Sequence, residues 1–390
     1  MQVIIYRGTH QIGGMATEIR TESSRILIDM GDELSQEDNY VPQPLSIPGV
    51  TDLEGNCDAI FITHYHGDHV GQLVNVRDNI PIYMGCLAKD IMLSTAGNNV
   101  ELIKRIEKAH TFVPGVKIQI GDIAVTPYSI DHSACDSYMF LIEAEHKCIL
   151  HTGDFRFHGF RGKGVLKILD SIIGKIDVLI TEGTTLSRTK QEMITERELQ
   201  LKVKEYMDQY KYVFVLCAST NLERICALSK AVPYGKYFVC DEYQKRLLDL
   251  VEKHWGKYSE LFRNIKVTTF GDHLLRGLQD KGFLMVIRDN CYFRKIMENF
   301  DCKQSIILYS MWDGYRTKPG SSIPELLETF HNWQPLHTSG HASAKDILTV
   351  IDKIKPEMII PIHTDKPELL QKICSDQNIK IMEDGESIII

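Results

Sequence analysis

The stretch FITHYHGDHVG, residues 61–71, packs three histidines and one aspartate into six positions. Buried imidazoles and carboxylates are costly without partners, so the stretch is either a solvated polar loop or one wall of a cation site. It continues the apolar run AIFIT. His64 and His66 lie two apart on an extended segment, a spacing that projects both side chains to one side. Asp68 and His69 follow Gly67, where the chain is expected to turn into a helix. One pair of donors then faces one point and the next pair a neighbouring point. Imidazole nitrogen and carboxylate oxygen are the ligand set of zinc or a similar divalent metal.

Two metals need more donors than this stretch holds. Three further polar residues follow apolar runs: His132 in VTPYSIDHSACDS, Asp154 in CILHTGDF and His363 in MIIPIHT. Singly, each reads equally well as a turn or strand-end residue. With the histidine stretch they complete two sites. The first is His64, His66, His132 and Asp154; the second is Asp68, His69, Asp154 and His363. Two divalent metals about 3.5–4 Å apart that share a water or hydroxide form a hydrolytic site. Asp29, ending RILIDMG, is either a turn aspartate or a partner that orients a ligating histidine from behind.

These residues need rigid elements to hold them. Over the first 150 residues, short runs such as VIIY, ATEIR, RILIDMG and SYMFLIEA carry the strand signature, bounded by Gly, Asp or Pro. Helical patterns follow Gly67 and cover roughly 87–108. From about 177 the rhythm changes to strand then helix, with DVLITEG, YVFVLCAS, KYFVCDE and FLMVIRD as strands and helices near 195–208 and 221–231. That alternation predicts a parallel sheet with helical crossovers. Short units then return: SIILYS, a helix at 343–354, MIIPIH, a helix near 367–375 and a final SIII. Residues 191–330 therefore read as an α/β insertion in a domain that begins at 1–190 and resumes at 331–390.

Length agrees, since 390 residues exceed the ~250–300 that one core supports. A net charge of -8 gives no global sign of nucleic-acid binding, although local basic patches and metals can act against it. Ten scattered cysteines without a CxxC pair read as free thiols in a reducing compartment. The N-terminus lacks a signal-peptide pattern, and no run reaches the ~18 apolar residues of a membrane span. A cytoplasmic protein with no membrane association is expected.

The order GTHQIGG, LIDMG, THYHGDHVG, DHSACDS, HTGDF resembles the metallo-β-lactamase superfamily. The resemblance implies an αββα sandwich with a binuclear zinc site between two sheets. LITEGT with Glu182, HTSGHAS with His341 and IPIHT with His363 look like motifs A, B and C of the β-CASP group, which includes ribonuclease J and mRNA 3′-end-processing endonucleases. The hallmark of that group is an inserted α/β domain between motifs A and B. The implied fold is thus α/β, a metallo-β-lactamase αββα sandwich with an inserted α/β β-CASP domain. Against ribonuclease J, the extra C-terminal domain is expected to be missing. The implied activity is metal-dependent phosphodiester hydrolysis of RNA, exo- or endonucleolytic, through a metal-bridging hydroxide. Zinc is the first choice of metal and manganese the second. Asp68, His341 and Glu182 are the catalytic candidates. His341 would protonate the leaving group or hold the scissile phosphate. Glu182 would fix His341 or a metal ligand.

Candidate substrate contacts are Ser219, Asn221 and Arg224 in ASTNLERI and Arg316 in MWDGYRTKPG, beside Trp312, Tyr315 and Lys318. A helix start can hold a phosphate, but Ser, Thr and Asn there serve capping equally well. Aromatics among basic residues stack bases or simply pack their own loop. RFHGFRGKG, with Arg156, Arg161 and Lys163, is the basic patch expected nearest the metals, whereas TKQEMITERELQLKVKEY reads as a solvated helical face. Single-stranded RNA is the expected partner, DNA an open one, and a homodimer a further open expectation. The alternatives are a DNA nuclease, a lactonase or thiolesterase, and a non-catalytic scaffold subunit; all seven candidate ligands are present, which disfavours the scaffold.

Overall fold

The computed structural model describes residues 1–34, 42–171, 174–188 and 193–390. Among these residues the strands form three sheets. The first runs Ser387–Ile389, Gln2–Arg7, Ala16–Arg20, Arg25–Ile28, Ala59–Phe61, Ile82–Met84, His110–Thr111. The second runs Met358–Ile362, Val178–Glu182, Lys147–His151, Ser137–Ala144, Ile123–Ile130, Ile118–Ile120. Both therefore receive a strand from the C-terminal part of the chain.

Period-two alternation decides what each sheet faces. Ile149, Val178, Ile180 and Ile360 of the second sheet meet Val3, Ile5, Ile26, Ile28 and Phe61 of the first in one apolar layer. Each such side chain contributes about 1.5–3 kcal/mol by leaving water. Their neighbours Leu150, Leu179 and Ile359 point the other way, onto helices Gly162–Ser171 and Ala344–Ile354. Leu27, Ile60 and Ile82 meet helix Cys86–Thr95 on the far side of the first sheet. Helix, sheet, sheet, helix is the αββα sandwich.

The third sheet, Thr268–Thr269, Tyr237–Cys240, Phe283–Ile287, Tyr212–Leu216, Ser305–Tyr309, Trp333–Pro335, is parallel throughout. Helices cover both faces, with Leu222, Leu247 and Val251 on one and Phe293, Met297 and Leu326 on the other. The expected boundary at 190/191 lies outside the described residues. No helix among the described residues is long and apolar enough to cross a membrane.

The helix expected over 87–108 is two helices, Cys86–Thr95 and Val100–Glu107. Gly97 takes a φ of 57°, and the Asn99 side chain caps the second helix by accepting from the Leu102 amide, so the chain breaks where a fresh start is stabilised. The helix after Gly67 is one turn, Gly67–Val70. It lies against the turn at residues 29–32 so closely that a Cβ on Gly31 would sit 1.6 Å from the Asp68 carbonyl oxygen.

Candidate metal centre

The donors collect where strands of the two facing sheets end. His64, His66, Asp68 and His69 follow Ala59–Phe61, and His132 follows Ile123–Ile130. Asp154 follows Lys147–His151, Glu182 closes Val178–Glu182, and His363 follows Met358–Ile362. His64 Nε2 is 3.2 Å from His66 Nδ1, which is 3.3 Å from His132 Nε2. His363 Nε2 is 3.1 Å from Asp68 Oδ2. The Asp154 Oδ2 atom stands between the groups, at 3.9 Å from His64, 3.2 Å from His69, 4.0 Å from His132, 3.5 Å from His341 and 3.7 Å from His363.

Such crowding fits a metal better than it fits hydrogen bonding. Asp154 Oδ2 and His69 Nε2 are buried and make no hydrogen bond among the described residues. Burial holds His64 and His132 well below the usual histidine range and His66 down at about 4, so all three imidazoles are neutral, the form that ligates. Burial works against charge on His69 too, yet Asp154 and Asp29 outweigh it and push that ring up. Burial would raise Asp154, but His363, His69 and His341 hold it well below the carboxylate range.

Behind the donors lies a ring of orienting groups. Asp29 Oδ2 is 2.7 Å from His69 Nδ1 and accepts from the Thr63 hydroxyl, while its Oδ1 accepts from the Thr63 amide. Thr184 Oγ1 is 2.7 Å from His363 Nδ1, and His132 Nδ1 donates to the Gly340 carbonyl at 2.6 Å. Each leaves the other ring nitrogen turned to the cluster. Asp29 and His363 hold left-handed backbones, φ 62° and 50°, a strain that collects at functional sites. His341 Nδ1 is 3.0 Å from Glu182 Oε2. Burial lowers His341, but Glu182 and Asp154 prevail and raise it.

Residues 24–213 match the family model described as a beta-lactamase superfamily domain, and residues 334–374 match that of a Zn-dependent metallo-hydrolase RNA specificity domain. The chain is similar to ribonuclease J of Mycoplasma genitalium, at 19% identity over 93% of this chain and 67% of that protein. It is similar to ribonuclease J 2 of Streptococcus pyogenes serotype M3, at 21% over 100% and 76%. The chain belongs to the metallo-β-lactamase superfamily, in its β-CASP, ribonuclease J-like branch. A crystal structure of a protein of unknown function from Enterococcus faecalis V583 shares the fold, with a TM-score of 0.80, 21% identity and coverage of 100% of this chain and 99% of that one.

The seven expected donors lie together, but in overlapping groups rather than two separate ones: His64, His66 and His132; His64, His69 and Asp154; Asp68, His69 and His363; and Asp154 and His363 with Glu182 and His341. Glu182 is fully buried; Oε1 accepts from the Phe155 and Ala342 amides and Oε2 meets His341, the fixing contact expected of it, so it acts as a positioning residue. Other expectations are corrected. Arg224 is fully buried between Glu196, the Thr338 and Ser310 carbonyls and His337, and is closed to substrate. Arg316 pairs with Asp313 at 2.7 Å and lies over Trp333, with no contact to the histidine cluster. Arg156 and Arg161 form no surface patch: with Asp131, Glu196, Glu223 and Arg224 they make a network of three cations and three anions in which all but the half-buried Arg161 are fully buried. Glu196 is likewise not on a solvated face.

Ser219 accepts from Arg288 and Gln244 through its hydroxyl and carbonyl. Asn221 starts helix Leu222–Ala231 without a capping bond, and its buried Oδ1 has no partner among the described residues. The neighbouring Thr220 carbonyl accepts from the Tyr65 hydroxyl, so this loop is tied to the histidine stretch. Sequence reasoning did not single out Arg188, whose guanidinium lies over Trp312 and which closes the loop whose Thr184 meets His363. It lies six residues after Glu182, and nothing in that spacing marks it.

Proposed function

We propose that this chain is a ribonuclease that hydrolyses single-stranded RNA with two divalent cations, zinc before manganese. One observation carries the reading: Asp154 Oδ2 is buried, lacks a hydrogen bond among the described residues and lies within 4.0 Å of five imidazoles. His64, His66, His132 and Asp154 would hold one cation, and Asp68, His69, Asp154 and His363 the other. When bound, the cations would supply an acidified water and neutralise charge on the attacked phosphate. His341 is the proton carrier. With Nδ1 held by Glu182, Nε2 is left to protonate the leaving oxygen or to hold a phosphate oxygen. The RNA specificity match at 334–374 spans both His341 and His363, which favours RNA over a small ester. We take the third sheet and its helices as an inserted domain that supplies a second wall for a strand, with Ser219 and Asn221 on it; it runs past the expected end at 330 to Pro335, since Trp333–Pro335 pairs with Ser305–Tyr309, and we take the cytoplasm as the place of action.

The test pairs two substrates. Purified protein loaded with Zn²⁺ or Mn²⁺ is expected to degrade 5′-monophosphorylated, internally labelled RNA, and chelation to stop it. Intact protein that spares RNA but opens a lactone or thioester would refute the reading. Equal cleavage of the same strand made as DNA would widen it to nucleic acid in general.

A further inference from the structure

Beyond the metal donors, an arginine stands at the site with nothing to bind. Arg188 is half-buried, and among the described residues its guanidinium makes no hydrogen bond and no ion pair. Five donors in a fixed fork rarely go unused in a partly buried place. Its Cζ lies 4.5 Å from the centroid of the Trp312 ring. Burial lowers its basicity, and Asp365, Glu182 and Tyr315 are the groups it feels. Its segment runs past the site: Thr184 Oγ1 is 2.7 Å from His363 Nδ1, and the Arg188 amide donates to the Thr185 carbonyl at 2.9 Å.

Trp312 is itself fixed. It precedes helix Asp313–Thr317, its carbonyl accepts from the Tyr309 hydroxyl, and its indole crosses Gly314 so closely that a Cβ there would sit 2.2 Å from ring carbons. The ring is therefore held against Gly314, with the Arg188 guanidinium lying over it. Tyr315 packs edge-to-face with it at 5.6 Å between centroids and is 53% exposed. Tyr315, Trp312 and the guanidinium thus adjoin in turn.

We propose that Arg188, pre-oriented over the Trp312 ring, grips the phosphate next to the scissile one, and that the exposed ring of Tyr315 stacks the intervening base. A stacked, desolvated guanidinium takes a phosphate bidentately with little ordering to lose. A cation beside an aromatic face is the recurring unit of single-strand grooves. The inference rests on the ribonuclease reading. The competing role is structural, with Arg188 merely balancing Glu182 and Asp365.

Steady-state kinetics of the metal-loaded protein on single-stranded RNA and on bis(p-nitrophenyl) phosphate separates these. Arg188→Gln is expected to raise KM for RNA about 10- to 100-fold, and to harm RNA at least about tenfold more than the small diester. One lost phosphate contact should also flatten the slope of log(kcat/KM) against log salt by about 0.7. Arg188→Lys should restore the slope and only part of KM, and Trp312→Leu should raise KM with the slope kept, which serves should Arg188→Gln fail to fold. If the wild type cleaves RNA while Arg188→Gln keeps its KM and salt slope, the clamp is refuted and the ribonuclease reading stands. If the wild type cleaves only the small diester, both fall.

Discussion

Asp29 holds a left-handed backbone at φ 62°, which costs on the order of 1–3 kcal/mol for a residue with a side chain. Its carboxylate offsets this with the Thr63 amide, the Thr63 hydroxyl and His69 Nδ1. The strain aims His69 Nε2 at Asp154. Asp29→Asn should therefore keep the fold while weakening metal binding about 10- to 100-fold, read by competition with a chromophoric chelator. An unchanged affinity would show that Asp29 only shapes the turn. Spacing alone left both readings of Asp29 open, because an aspartate after a strand looks the same in either. The cluster of seven candidate donors was legible because their types are rare together and each follows an apolar run. Arg188 was not, since an unpaired guanidinium is recognised only by the partners it lacks in space.

At the scale of elements, strand and helix order followed from alternation and turn residues, including the return of MIIPIH and SIII to the sandwich. What failed was the reading of charge. RFHGFRGKG and the TERELQ helix start each look solvated alone, yet Arg156 meets Glu196 and Glu223 forty and sixty-seven positions away. Local sequence does not disclose pairing across such separations. Burial raises Glu196, but Arg224 and Arg156 overcome it and hold it down to about 2. Its folded value lies below the ordinary 4.5, so its contribution is complete above pH 4.5 and disappears as pH falls toward 2. The shift corresponds to about 3 kcal/mol. Asp131, raised to about 6 by burial and Glu223, runs the opposite way and loses stability as pH rises from 3.8. Glu196→Gln isolates the first effect. Its unfolding midpoint in urea should fall well below the wild type's at pH 7, and the gap should narrow as pH drops below 4.5. A gap independent of pH would remove the ion pairs as its cause.

The whole molecule carries that network at the junction of sandwich and insertion. Asp131, Arg156 and Arg161 come from the sandwich, and Glu196, Glu223 and Arg224 from the helices of the third sheet. The same junction is apolar elsewhere: one core runs from Leu27, Ile60, Leu87 and Ile91 to Val213, Leu222, Leu247 and Val251. The Tyr65 hydroxyl, between two metal donors, adds a bond to the Thr220 carbonyl and accepts from the Cys135 amide. Chains of this length with two lobes commonly unfold in steps. Here a shared core and a closed set of buried charges predict one step. Scanning calorimetry of the metal-loaded protein should give a single transition whose calorimetric and van't Hoff enthalpies agree. Arg156→Met leaves three carboxylates facing two guanidinium groups, a loss of about 3–5 kcal/mol placed at the junction itself. That variant should resolve into two transitions, with metal affinity retained by the later-melting one. Two transitions in the wild type would mean that the lobes are coupled too weakly for the insertion to hold a strand rigidly over Asp154 and His341.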